Sequence, residues 1–170
     1  MPSATMDVMN ELIAQIRAAS EIGLYYLALL GALVLPDICG ALASEDGTAT
    51  PAKYKDWLRA NVPEQASYAD LFYGLRCSLL HQGRAMPHGG TSPVAFLHPA
   101  AGHLHRSSTE INGERVDWMS IPIFVEEVTR GVEQWLAQVG DSPQVVENLE
   151  KFARLRLEGL PPHVLGPVIA

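Results

Sequence analysis

The chain has 170 residues, with 19 Asp plus Glu against 12 Lys plus Arg and a formal net charge of −7. With 48% hydrophobic and 18% charged residues, it has the composition of one globular domain and not of a disordered chain. Cys39 and Cys77 are too few for a disulfide framework, zinc-type Cys spacing is missing, and the acidic sum argues against indiscriminate nucleic-acid binding.

Thr5 to Ala19 reads as an amphipathic helix, with Val8, Leu12, Ile16 and Ala19 on one stripe. No basic region followed by an apolar core precedes it, as a signal peptide would require, so reduced thiols in a cytoplasmic protein are expected. Ser20 and Glu21 open a second helix whose stretch Ile22 to Leu35 holds fourteen residues without a charge. A membrane span needs about 20 residues, and Glu21 and Pro36-Asp37 bound this one. No membrane is therefore expected as a partner. A helix apolar all round belongs in a core or an oligomer interface. Pro36 suits the first turn of a further short helix, Asp37 to Ala43, with Asp37 favourable at its N-terminus. The other use of Asp37 would be as counter-ion to an arginine in the Arg76 region; capping is the expectation.

Ser44 to Thr50 is a polar loop, and Thr50-Pro51 is a cap followed by a first-turn proline. Tyr54, Trp57 and Leu58 face inward on the short helix that follows, and Asn61 to Gln65 turns the chain. Tyr68 to Gly83 then reads as a helix around which the rest of the chain is packed. Leu71, Leu75 and Leu79 recur every four residues. Ser67 is its expected N-cap and Gly83 its C-terminal cap.

Residues 84–119 change character. Pro87 to Gly90 is a loop, Pro93 to His98 a short strand, and Asn112-Gly113 favours a type I′ hairpin turn. The expected insert is a small antiparallel sheet. Ser120 and Pro122 open a helix whose Phe124, Val125, Val128, Val132, Trp135, Leu136 and Val139 form a 3.6-residue stripe ending at Gly140. Ser142-Pro143 opens a last helix with Val146, Leu149, Phe152 and Ala153 inward, and Leu160 to Ala170, with three prolines, is extended. The fold class is thus all-α: a single domain over residues 1–170, a bundle of five or six helices carrying a β-hairpin insert.

The charge distribution says more than its sum. From Leu71 to Thr109, thirty-nine residues, there is no Asp or Glu. The window holds Arg76, Arg84 and Arg106 with His81, His88, His98, His103 and His105. An acidic body with one basic stretch accepts a local anionic ligand and repels polyanions elsewhere.

The hexapeptide Arg76-Cys-Ser-Leu-Leu-His81, preceded by Phe72-Tyr73-Gly74-Leu75 and followed by Gln82-Gly83, resembles the Arg-x4-His signature of the HEPN superfamily. These are small helical-bundle proteins, many of them prokaryotic toxins and defence proteins. The resemblance covers the helical parts and is silent on residues 84–119. It implies a homodimer in which two such helices supply a composite cleft lined by Arg76 and His81 of both copies. It further implies metal-independent RNA cleavage, with His81 as acid or base and Arg76 as phosphate clamp, and a protein antitoxin or regulator as partner. An imidazole moves protons near neutral pH, and a guanidinium fits a phosphoryl group in which charge develops.

Five residues apart, Arg76 and His81 lie about 140° around and about 7.5 Å along an ideal helix. An ordinary structural role is the competing reading: Arg76 paired with an acid or capping a helix end, His81 hydrogen-bonded at an interface. Catalytic members often carry a strongly polar residue directly after the Arg. The position here is Cys77, which leans toward a catalytically inactive HEPN-like module that binds a nucleotide, RNA or a protein. Cys77 itself is read as packing, since a Cys–His nucleophile with His81 lacks an orienting third residue. Tyr73 is a core residue with the cleft as its alternative, and Ser78 lets two helices approach closely. Arg84, His88 and Arg106, with Tyr73, are candidates for phosphate or nucleotide binding. His98, His103 and His105 are possible nitrogen ligands for zinc, but no acid or thiol lies near them in sequence. No metal or other cofactor is expected.

Overall fold

Every other helix packs against α2 (Tyr25–Leu42). The computed structural model describes residues 4–84, 94–102 and 104–170. Among them the helices are α1 (Ala4–Glu21), α2, α3 (Pro51–Asn61), α4 (Ala69–Gln82), α5 (Ile121–Val139) and α6 (Pro143–Glu150). The hub is therefore α2 and not the motif helix α4. This explains the later part of the uncharged run, Ala28 to Leu35, most of which is buried, since a helix with neighbours on most sides has little surface left for charge. Ile22, Leu24, Tyr26 and Leu27 at the start of the run are exposed. Of the helices among the described residues, α2 alone is long and apolar enough to cross a membrane, yet 56% of that span is buried inside the protein, the disposition of a core helix.

Three boundaries differ from the sequence reading. α1 runs to Glu21, and the chain turns at Gly23 with φ +85°, so α2 begins at Tyr25. Pro36 does not start a new helix; it lies inside α2, buried, with Leu35 and Asp37 buried beside it. An interior proline removes one backbone hydrogen bond at a cost of about 3 kcal/mol. Burial of the ring and its neighbours offsets that cost. Thr50 does cap α3, its Oγ1 accepting from the Lys53 N–H at 3.2 Å, and Tyr54, Trp57 and Leu58 are buried. Ser67 does not cap α4. A 3₁₀ turn, Pro63–Tyr68, runs directly into that helix.

The insert holds β1 (Val94–Leu97), β2 (Ser107–Ile111) and β3 (Glu114–Ser120) in the order β1-β3-β2. β2 and β3 are the antiparallel hairpin expected around Asn112-Gly113, both residues at positive φ as a type I′ turn demands. β1 pairs with β3 in parallel, Val94 opposite Asp117, so the sheet is mixed and not purely antiparallel. Phe96 of β1 meets Phe72 of α4 and Phe124 of α5, with ring centroids 6.3 and 5.4 Å away, and Phe72 and Phe124 stand 4.9 Å apart. That aromatic cluster fixes the sheet to the bundle. The C-terminal tail folds back as a two-stranded hairpin, β4 (Leu155–Arg156) with β5 (Val168–Ile169).

Candidate active site

Helix α4 presents three of the sequence-predicted residues. Its buried face is Phe72, Gly74, Leu75, Ser78 and Leu79, which leaves Tyr73, Arg76 and Cys77 half-buried on its flank and His81 exposed in the last turn. Gly83 ends the helix in the left-handed region, φ +64°, as its sequence position predicts. Its N–H returns to the Leu79 carbonyl (3.1 Å) and the Arg84 N–H to that of Ser78 (3.2 Å). Arg84 follows at once and is exposed. His81 and Arg84 thus share one end of α4, and among the described residues neither side chain has a hydrogen-bond or ion-pair partner.

Arg76 is held. Its Nη2 pairs with the Asp37 carboxylate on α2; the arginine side chain is 20% exposed and that of Asp37 8%. Asp37 therefore acts as counter-ion, not as a helix cap, because α2 runs straight through Pro36 and leaves no N-terminus there to cap. Nη1 of Arg76 lies 3.6 Å from the Cys77 Sγ, and the guanidinium carbon stands 5.7 Å from the Tyr73 ring centre. Nε is buried without an acceptor among the described residues. The Tyr73 ring is edge-on to that of buried Tyr54, centroids 5.4 Å apart. Together these contacts form a layer of Asp37, Arg76, Cys77, Tyr73 and Tyr54 across α2, α3 and α4.

The charge states follow from burial. Loss of water raises the Asp37 carboxyl above its ordinary value, and the opposing pull of Arg76 does not cancel it. Burial works most strongly against the Arg76 cation, but the Asp37 charge and the hydrogen bonds to Cys77 and Asp37 together outweigh it, so that pKa is raised. Tyr73 is pushed up, first by burial and then by the Cys77 thiol beside it.

Arg106 and His105 are elsewhere, in a cluster the sequence reading did not foresee. Glu127, buried on α5, accepts from Gln65 Nε2 on one oxygen and from Arg106 Nη1 (2.8 Å) on the other. His105 Nδ1 accepts the Ser120 N–H (3.2 Å), which leaves Nε2 to donate to Glu127 (3.2 Å). Both imidazole nitrogens are thereby used, so this ring is an anchor between the insert and the start of α5 and not a free base. The guanidinium of Arg106, at φ +51°, is engaged by Glu127 and the Glu64 carbonyl. A signal for Glu127 existed: an acid three residues after Phe124 and one before Val128 falls on the apolar stripe of α5.

The remaining candidates separate. His98 accepts the Ala100 N–H on Nδ1 (3.0 Å) and packs edge-on against Tyr25. His88 and His103 lie outside the described residues. Among the described residues no group of three His, Cys, Asp or Glu side chains is placed to hold a metal ion. Comparison with protein-family models, curated proteins and solved structures found no match.

Proposed function

We propose that this protein is a HEPN-like, metal-independent endoribonuclease that works in the cytoplasm as a homodimer, with α4 of each copy lining a shared cleft. The observation that carries the reading is Arg76, fixed by a buried carboxylate on α2, on the same helix as an exposed imidazole in its last turn. A guanidinium held by Asp37 meets a phosphoryl group without first losing side-chain freedom, which is the advantage of preorganised charge. In the reaction the ribose 2′-oxygen bonds to the adjacent phosphorus and the bond to the 5′-oxygen breaks. One imidazole takes the 2′ proton, and an imidazole returns one to the leaving oxygen. With two copies, His81 of each supplies one role. Such an activity fits a toxin or defence effector restrained by a protein antitoxin.

A second reading is supported by the Arg76 contacts themselves. Nη2 is committed to Asp37 and Nη1 faces the Cys77 thiol, so the guanidinium is already substantially satisfied. On that reading the chain is a catalytically inactive module of the same kind that binds a nucleotide, RNA or a protein.

The test is cleavage of a single-stranded RNA by the purified protein in EDTA, beside folded Arg76→Ala and His81→Ala variants, with mass measured by light scattering. A dimer that cuts, and loses cutting in both variants, supports the nuclease. A dimer that binds RNA without cutting moves the assignment to the inactive module, and a monomer removes the shared cleft.

A further inference from the structure

The C-terminal hairpin turns its apolar face to water. β4 and β5 pair Leu155 with Ile169 and Arg156 with Val168. Cross-strand neighbours share a face, and successive residues alternate between faces. An antiparallel pair lying on a protein ordinarily puts its apolar face inward and its polar face outward. Here Leu155 and Ile169 are 47% and 74% exposed, while Arg156 and Val168 on the opposite face are half-buried. Beyond β4, Leu157 is 65% exposed, and the connecting loop adds Leu160, Val164 and Leu165, exposed as well. Together these side chains present roughly 600 Å² of apolar surface, the upper end of the largest patch on an ordinary monomer.

The apolar surface continues onto α1. A hollow of about 180 Å³ lies between Val8 and Leu12 of that helix and Phe152, Leu155 and Ile169 of the tail. A space of about 150 Å³ holds benzene, so one leucine or isoleucine side chain fits it.

The charges at the rim are separated by sign and unpaired. On α1, Asp7 and Glu11 stand one turn apart and are exposed. Neither meets a cation among the described residues, and Glu11 only accepts from Gln15 Nε2 at 3.1 Å. On the hairpin side, Arg154 donates to the Glu150 carbonyl and Arg156 to the Ala170 carbonyl, each at 3.3 Å, and neither reaches a carboxylate among the described residues. That is unusual for this chain: among the described residues every other Lys and Arg except Arg84 has a carboxylate partner. A face with an apolar middle, acids on one side and guanidiniums on the other is complementary to itself turned through a half-rotation. A two-fold axis sets the same patch on both partners, which brings α1 of one copy over the hairpin of the other.

We propose that this face joins two copies of the chain. The hairpin side chains of each copy cover the α1 hollow of the other, and Asp7 and Glu11 of one copy meet Arg154 and Arg156 of the other. Two faces of this size remove about 1,200 Å² from water, the lower end of specific interfaces, so the association reverses on dilution. An anionic membrane is the poorer occupant, because two carboxylates flank the same surface and the whole chain carries −7. None of these residues lies on α4, so the interface is separate from the shared cleft, and RNA cleavage or its absence leaves it untouched.

The experiment is light scattering on the full chain across a dilution series, wild type beside Ile169→Glu, with circular dichroism confirming each fold. Ile169 is exposed, so a charge there leaves the fold alone. It should halve the assembly mass at a given concentration, whether or not the α4 cleft also joins copies. Glu11→Arg and Arg156→Glu should each weaken association roughly two- to tenfold, the scale of two exposed ion pairs lost across the axis. The double variant, which exchanges the two charges, should recover it. A mass unmoved by Ile169→Glu overturns the proposal. So does a double variant weaker than either single, or a monomeric wild type whose binding to lipid vesicles is lost in Ile169→Glu.

Discussion

The guanidinium of Arg76 on α4 and the buried carboxylate of Asp37 on α2 form an ion pair between the motif helix and the hub of the bundle. Each group is held where it would be costly to leave the other alone. Breaking a buried pair by removing one partner typically costs about 3–5 kcal/mol, while replacing both with apolar side chains is often neutral. Asp37→Ala should therefore lower stability by about 3–5 kcal/mol, less the relief from the fifth of Arg76 that water still reaches. The double variant Asp37→Ala with Arg76→Met should recover most of the loss. Urea midpoints of the four proteins in the cycle decide it: a double variant as unstable as the sum of the singles means that the two residues do not act as a pair.

The same carboxylate gives an unusual pH response. Burial first, and Arg76 only in opposition, leave the folded Asp37 value raised above its ordinary 3.8. A raised folded value means that the folded protein binds the extra proton, so this contribution to stability is present below 3.8 and is lost as pH rises through the folded value. Asp46, held down first by its bond to Lys53, and Asp70, held down first by Lys55, act in the opposite sense. Their contribution is present above 3.8 and is lost as pH falls. Subtracting the stability curve of Asp37→Asn from wild type should thus give a difference that declines as pH rises just above 3.8. The corresponding difference for Asp70→Asn should decline as pH falls below that value. An Asp37→Asn difference that declines on acidification instead would reverse the assigned sign.

Much of this was legible in the chain because it rested on local rules. Gly83 in the left-handed region, Thr50 capping Lys53 and the Asn112-Gly113 hairpin are each decided within a few residues. The placement of Arg76 and His81 on one helix is of the same kind. What could not be read are the matters decided across the fold. Pro36 looks like a helix start until the burial around it is known, and with that boundary misplaced Asp37 reads as a cap instead of the partner of Arg76. Likewise Arg106, a free cation in the sequence, is engaged by Glu127 only because α5 returns beside the insert. Pairings between residues 21 and 39 positions apart, as in Arg106–Glu127 and Asp37–Arg76, carry no periodic signal.

Glu127 gives the cleanest separation of structure from binding. Gln65, His105 and Arg106 all donate to it inside the protein. Glu127→Ala leaves those donors without their acceptor, at a cost of roughly 1–3 kcal/mol for each that water cannot reach. The expected outcome is a lower thermal midpoint together with faster amide exchange at Ser120, whose N–H is held by His105. Arg106→Ala should move stability in the same direction by less, since its side chain is 37% exposed. RNA affinity, measured beside it on folded protein, should stay within twofold if Arg106 serves the anchor, and fall with a shallower salt dependence if it contacts phosphate, by about one unit of slope.

Gly131 tests the packing that sets α5 against the end of α3. A Cβ at that position would lie 2.7 Å from the Asn61 carbonyl oxygen and 2.7 Å from Val62 Cγ2. Neither neighbour gives easily: Val62 is fully buried, and the Asn61 backbone is the last turn of α3, where the Asn61 side chain itself bonds the Trp57 carbonyl at 2.9 Å. Alanine in place of glycine ordinarily stabilises a helix interior by about 1 kcal/mol. Here the steric cost of overpacking, about 1–3 kcal/mol, opposes that gain and should exceed it, because backbone is what must move. Gly131→Ala is expected to shift the urea midpoint down with an unchanged slope and to alter the near-ultraviolet signal of Trp57 and Trp135, whose rings meet edge-on 5.8 Å apart just beyond the contact. A midpoint raised by the substitution would mean that α5 and α3 stand farther apart than this close approach requires.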